Sequence, residues 1–150
     1  MPTQTLTNIV VRKDQGCAYP TGDGTLTFKV SAEQTGGVFA FGYATTEPGG
    51  GPPPHTHSLE DELFVILEGT FEFTVNGDKV IANAGDVVFS PRGNQHTFKN
   101  VGTTVGKSLL VVTGSNFEKF YERYSAAIDV EEPDFPELIK IAEEHGIRMG

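Results

Sequence analysis

Residues Pro52 to Glu62, PPPHTHSLEDE, place two histidines one residue apart, behind three prolines and ahead of three acids. Each proline holds φ at about −65° and keeps the residue before it out of the helical region, so the segment is expected to run extended. Side chains two residues apart on an extended chain share a face, which brings the imidazoles of His55 and His57 together. Two imidazoles so placed repel once protonated, and a divalent cation turns the repulsion into coordination. Two nitrogens alone make a weak site. Glu60, Asp61 and Glu62 are the local supply of oxygen, and strand parity does not choose among them. If Glu62 opens the run LFVIL, its side chain shares a face with Phe64 and Ile66. A carboxylate aimed into an apolar interior needs a partner or a metal.

A third histidine, His96, follows Pro91 and Gly93 in GDVVFSPRGNQHTFKN and starts another strand, with Phe98 on its face and Lys99 turned away. His145 lies near the end of a C-terminal helix, where it complements the macrodipole and reads as structural. Cys17 is the only cysteine, so no disulfide can form within the chain, which fits a reducing compartment.

The elements that must position these groups are mostly strands. Residues 1 to about 105 alternate short apolar runs with glycine- and proline-rich turns, the pattern of an antiparallel sandwich or barrel. In VFAFGYAT, Val38, Ala40, Gly42 and Ala44 share one face, and Phe39, Phe41, Tyr43 and Thr45 the other. LFVIL is continuously apolar, as expected of a strand covered on both faces. FEFTV and DKVIA flank Asn76-Gly77, which predicts a type I′ hairpin. After Gly114 the period changes. Ser115 and Glu118 are spaced as a capping box, and Phe117, Phe120, Tyr121, Tyr124 and Ile128 recur at helical spacing as a stripe expected to pack on the sheet. A second helix is expected from Asp134 or Phe135, with Leu138, Ile141 and Ala142 on one side and Gly146 as its stop. The pair is expected to cover an open face.

The motif spacing is more specific than these patterns. Gly49-x5-His55-x-His57-x4-Glu62-x6-Gly69 and Gly85-x5-Pro91-x-Gly93-x2-His96-x3-Asn100 resemble the two cupin motifs, separated by the fifteen residues Thr70 to Ala84. The resemblance implies an all-β, cupin-type jelly-roll β-barrel with two short C-terminal helices. On that basis residues 1–150 form one cupin domain, with the barrel at about 5–113 and the helices at about 115–128 and 135–146. It further implies that His55, His57, Glu62 and His96 hold one divalent transition metal, with Fe, Mn, Ni, Co, Cu and Zn all chemically acceptable. The Thr35–Gly37 turn, PGGGPPPHTH, LEDELFVILEG and the aromatic helix before a short helix ending in HGI are similar to small quercetinase-like cupins. That likeness implies a dioxygenase for an aromatic or enolised substrate such as a flavonol-like compound, with Glu62 as metal ligand and catalytic base. Two other readings fit the same ligands: an oxygen-independent isomerase, decarboxylase or lyase, and a non-catalytic small-ligand-binding cupin. Phe64, Ile66, Phe98 and either Tyr43 or Phe41 are expected to line the interior and to favour a hydrophobic occupant.

Composition narrows the partners. Eleven basic against twenty acidic residues give a formal charge of −9, which disfavours nucleic acid and anionic membranes. The first residues lack a signal pattern and no apolar run approaches the ~20 residues of a membrane span. A cytoplasmic homodimer is expected, with LTNIVV as a candidate interface strand.

Overall fold

A computed structural model describes residues 5–150; the first four residues of the expected domain lie outside the described residues. The strands are β1 (Cys17–Pro20), β2 (Gly24–Val30), β3 (Phe39–Thr46), β4 (His55–His57), β5 (Glu62–Glu68), β6 (Thr70–Val75), β7 (Asp78–Asn83), β8 (Val87–Ser90), β9 (Gln95–Asn100), β10 (Gly106–Thr113) and β11 (Ile147–Met149). Helices α1 (Asn116–Ile128) and α2 (Phe135–Glu144) lie between the last two strands. The expected mostly-β chain with two helices takes the form of two antiparallel sheets, ordered β1-β2-β3-β10-β5-β8 and β11-β4-β9-β6-β7. Their inner faces meet: the Phe64 ring of β5 lies 5.3 Å from Phe73 of β6 and 5.6 Å from Phe98 of β9, centre to centre. Phe71, Phe73, Ile66 and Val112 are fully enclosed there. Each such side chain contributes roughly 1.5–3 kcal/mol by leaving water.

The Asn76-Gly77 turn has φ of 53° and 84° and joins Val75 to Asp78 in register, the predicted type I′ hairpin. Gly51 meets a different demand. Its φ is 150°, and a Cβ there would lie 1.9 Å from the Phe98 carbonyl oxygen, so only glycine lets the chain pass this close to β9 on its way to the prolines.

Three local expectations are corrected. LFVIL is covered on one face only. Phe64 and Ile66 are buried, while Leu63 and Val65 are half-buried and Leu67 is 40% exposed. Register explains the apolar outer residues: Phe41, Val111, Leu63 and Phe89 form one row across β3, β10, β5 and β8, and Tyr43, Leu109, Val65 and Val87 the next. Phe41 and Tyr43 therefore stand on the outer face, not in the interior; the inner residues of β3 are Ala40, Gly42 and Ala44. The capping box also fails. Ser115 makes no side-chain cap, and Glu118 Oε1 instead accepts from the Ala32 amide at 2.6 Å, fastening α1 to the turn before β3.

LTNIVV forms no strand with the rest of the chain, and Leu6, Ile9 and Val10 are exposed. Helix α2 starts at its Asp134 cap, whose side chain accepts from the Glu137 amide. It stops where Gly146 takes a φ of 75°, after which β11 joins the edge of β4. No helix among the described residues is long and apolar enough to cross a membrane.

Candidate metal centre

The two halves of the centre come from different sheets. β4 pairs with β9 so that His55 lies opposite His96, and β5 brings Glu62 across from the facing sheet. All four side chains are buried, and one donor atom from each lies within 4.8 Å of the others. His96 Nε2 is 2.8 Å from Glu62 Oε2, and His57 Nε2 is 3.4 Å from Glu62 Oε1. Yet His57 Nε2, His96 Nε2 and Glu62 Oε2 have no hydrogen-bond partner. The atoms are close without any donor hydrogen aimed at an acceptor. Buried polar atoms are nearly always satisfied, and a convergent set of nitrogen and oxygen donors is satisfied by a cation. The donor set thus fits a divalent transition metal.

The far side of each imidazole agrees. Nδ1 of His55 lies 2.9 Å from the Pro53 carbonyl, Nδ1 of His57 2.9 Å from Glu60 Oε2, and Nδ1 of His96 3.5 Å from the Asn94 carbonyl. These acceptors assign the proton to Nδ1 and leave Nε2 free to ligate.

The three acids of the LEDE segment have three separate fates. Glu62 joins the histidine cluster, on the face it shares with Phe64 and Ile66. Glu60 is buried behind His57. Asp61 is at the rim, where it accepts from Arg92 Nε at 3.0 Å, Arg92 NH2 at 2.9 Å and the Arg92 amide at 2.9 Å. The next amide, Gly93, donates to the His57 carbonyl at 2.8 Å. The Pro91–Gly93 turn therefore clips the strand bearing His96 onto the segment bearing His57. Arg92, one of the two cations nearest to His96 in sequence, is used in that clip.

Charge in the cluster follows from burial and proximity. Burial and the neighbouring His96 pull the His55 pKa down to about 4. Burial also works against protonated His57, but Glu62 and Glu60 outweigh it and its pKa is raised. Burial pushes Glu62 up, while His57 and His96 pull harder, and the net shift is down. Glu62 is thus a carboxylate at neutral pH, facing imidazoles of which His55 is neutral.

The cluster opens into a cavity of about 850 Å³. His55, His57 and Glu62 occupy one side, with Phe64 and Phe98 beside them as expected; Ile66 belongs to the core and does not border it. The helical stripe forms another part of the wall: Phe117, Phe120, Tyr121, Tyr124 and Ile128, joined by Leu138 of α2. Sequence reading assigned these residues to packing. They do pack, with Phe117 and Tyr121 each 6.2 Å from Phe28, but they also roof the cavity. Among the described residues, no lysine or arginine lines it. Burial raises the Tyr121 pKa further above its ordinary value, so its hydroxyl keeps its proton.

The chain has relatives of known sequence and structure. Residues 42–113 match the family model for the cupin domain. A germin-like protein of Mesembryanthemum crystallinum is 37% identical over 79 residues, 46% of this chain and 34% of that protein. Quercetin 2,3-dioxygenase of Bacillus subtilis is 26% identical over 90 residues, 60% of this chain and 27% of that protein. The chain thus spans about a third of the length of these curated relatives. Among solved structures, a predicted oxalate decarboxylase from Thermotoga maritima superposes with a TM-score of 0.64 at 27% identity, covering 71% of this chain and 99% of that one.

Proposed function

Starting from the chain's membership of the cupin superfamily, through its cupin domain at residues 42–113, we propose that it is a metal-dependent dioxygenase for a small aromatic or enolised substrate such as a flavonol-like compound. One observation carries the reading: a buried three-histidine, one-glutamate cluster borders a large, aromatic-walled cavity that, among the described residues, no lysine or arginine lines. A volume of about 850 Å³ suits a ligand of two or three fused or linked rings, and its walls favour apolar surface.

A divalent transition metal held by His55, His57, Glu62 and His96 would supply Lewis acidity and, where redox-active, electrons for dioxygen chemistry. The remaining work belongs to the chain. Glu62, kept ionised by His57 and His96, takes the proton of a substrate enol or phenol hydroxyl onto a carboxylate oxygen. The aromatic rings of α1 hold the apolar body of the substrate against the strands and exclude water. Likeness to quercetin 2,3-dioxygenase supports the substrate class.

A second reading has its own support. The Thermotoga relative is described as a predicted oxalate decarboxylase, which favours an oxygen-independent metal enzyme for a small acid. A small dianion would want lysine or arginine at the site, and the lining provides none, so this reading ranks second. A non-catalytic binding cupin ranks third. Elemental analysis of tag-free protein, paired with oxygen-electrode assays on flavonols, catechols, enediols and diketones, tests all three. About one metal per chain with oxygen uptake is expected. Turnover of an acid without oxygen uptake would replace the first reading with the second, and bound ligand without turnover would replace it with the third.

A further inference from the structure

Glu60 is among the most deeply buried side chains of the protein, at 1% exposure, yet it is not one of the four clustered donors. A buried carboxylate is costly unless both oxygens are well partnered. Both are. Oε2 lies 2.9 Å from His57 Nδ1, and Oε1 accepts from Asn116 Nδ2 at 2.7 Å. Asn116 is the first residue of α1. The same amide nitrogen donates to the His145 carbonyl at 2.7 Å, and its Oδ1 lies 3.0 Å from His145 Nδ1, at the end of α2. A continuous polar chain therefore runs from His57 to the junction of the two roof helices.

We propose that Glu60 is a positioning residue for the metal centre, orienting His57 through Nδ1 and, gripped by Asn116, fastening the helical roof to that centre. The proposal rests on the metal reading above. The three histidines differ in what stands behind them. His55 and His96 are backed by main-chain carbonyls, at 2.9 Å and 3.5 Å, and only His57 is backed by a carboxylate. A charged acceptor binds the Nδ1 proton more strongly than a carbonyl does, fixes the ring, and makes the opposite nitrogen a better donor. His57 should be the best donor of the three. Its ring also meets Phe117 of α1 at 5.4 Å, so the same imidazole touches the roof twice, once by packing and once through Glu60 and Asn116.

The experiment uses the full chain, stripped of metal and titrated with Co(II) against a competing chelator. The exchangeable, paramagnetically shifted imidazole N–H resonances of the loaded protein are recorded, as are the melting midpoints of the metal-free forms. Wild type should bind Co(II) and give one such resonance from each histidine. Glu60→Ala is expected to weaken Co(II) binding about 10–100-fold and to broaden or remove one resonance, the range found when a ligand loses its supporting partner. Glu60→Gln, which keeps an acceptor oxygen without the charge, should fall between Glu60→Ala and wild type. Asn116→Ala should cost only a few-fold. If Glu60→Ala lowers the metal-free midpoint but leaves affinity and all three resonances intact, Glu60 merely pins the helix and the proposal fails. If Glu60→Ala does not fold, Glu60→Gln decides: weakened affinity supports the role, and unchanged affinity overturns it. A wild-type chain that binds no Co(II) overturns the metal reading itself, before any variant is compared.

Discussion

On the strand side of the cavity, His55, His57, Glu62 and His96 are buried polar groups, and the three imidazoles are oriented by directional bonds to the Pro53 carbonyl, the Glu60 carboxylate and the Asn94 carbonyl. On the helix side, Phe117, Phe120, Tyr121 and Tyr124 face the same space as rings held by contact with one another, at centroid spacings of 4.9 to 6.1 Å. Directional bonds define a geometry to within tenths of an ångström, as metal ligation requires. Ring contacts are tolerant and define only a shape. On the function proposed above, the two sides separate chemistry from selection: the strands set what the centre does, and the helices set what reaches it.

The largest expected effect breaks the strand side alone. His57→Ala or His96→Ala should leave a folded chain by circular dichroism and lower metal affinity by more than about a hundredfold, beyond the loss of a supporting partner. Unchanged metal content in either variant would contradict their place as ligands. Glu62→Gln comes next. It should weaken metal binding less than the histidine changes do, and slow turnover by about 10²–10⁴ if the carboxylate is the base. Steady-state rates at saturating metal separate the two, and parallel loss of both would remove the base role.

Phe120→Ala tests the helix side. Truncating this buried ring should cost about 3–5 kcal/mol in urea unfolding. Co(II) affinity should stay at the wild-type value, and a matching loss of affinity would show that the two sides are not separable there. The smallest effect is at the rim. Arg92's side-chain and main-chain hydrogen bonds hold the Asp61 pKa at about 2, below its ordinary 3.8. A depressed carboxylate adds stability above its ordinary range and loses it as pH falls through the folded value. Asp61→Asn should therefore slightly flatten the acid limb of the stability curve between about pH 4 and pH 2 and leave neutral pH nearly untouched.

Much of the strand side could be read from the chain itself. The prolines favour an extended segment and the two-residue spacing pairs His55 with His57; parity leaves Glu60, Asp61 and Glu62 open, and the motif spacing singles out Glu62, which lies on the inner face with Phe64 and Ile66. These are local facts with a period of two. What escaped reading depends on contacts between distant residues. Glu60 is buried where its segment meets two distant ones: Ser58 donates to the Gly146 carbonyl, 88 residues away, and Asn116 of α1, 56 residues away, donates to Glu60 itself. Helical spacing in the aromatic stripe reveals a covered side, not whether that side meets a wall or a cavity. Glu118 left its expected cap for an amide 86 residues distant. Phe41 and Tyr43 could be placed on a shared face of β3, but only the register with β10 and β5 shows which face looks out.

That outer face has a practical consequence. Two in-register rows of four apolar side chains, ending in Phe89 and Val87 at 58% exposure each, form a surface that water wets poorly. If the homodimer expected from the sequence seats here, folding and association share one equilibrium, and dilution becomes a denaturant. The melting midpoint should then climb with protein concentration, so two laboratories working at different dilutions would report different stabilities for the same chain.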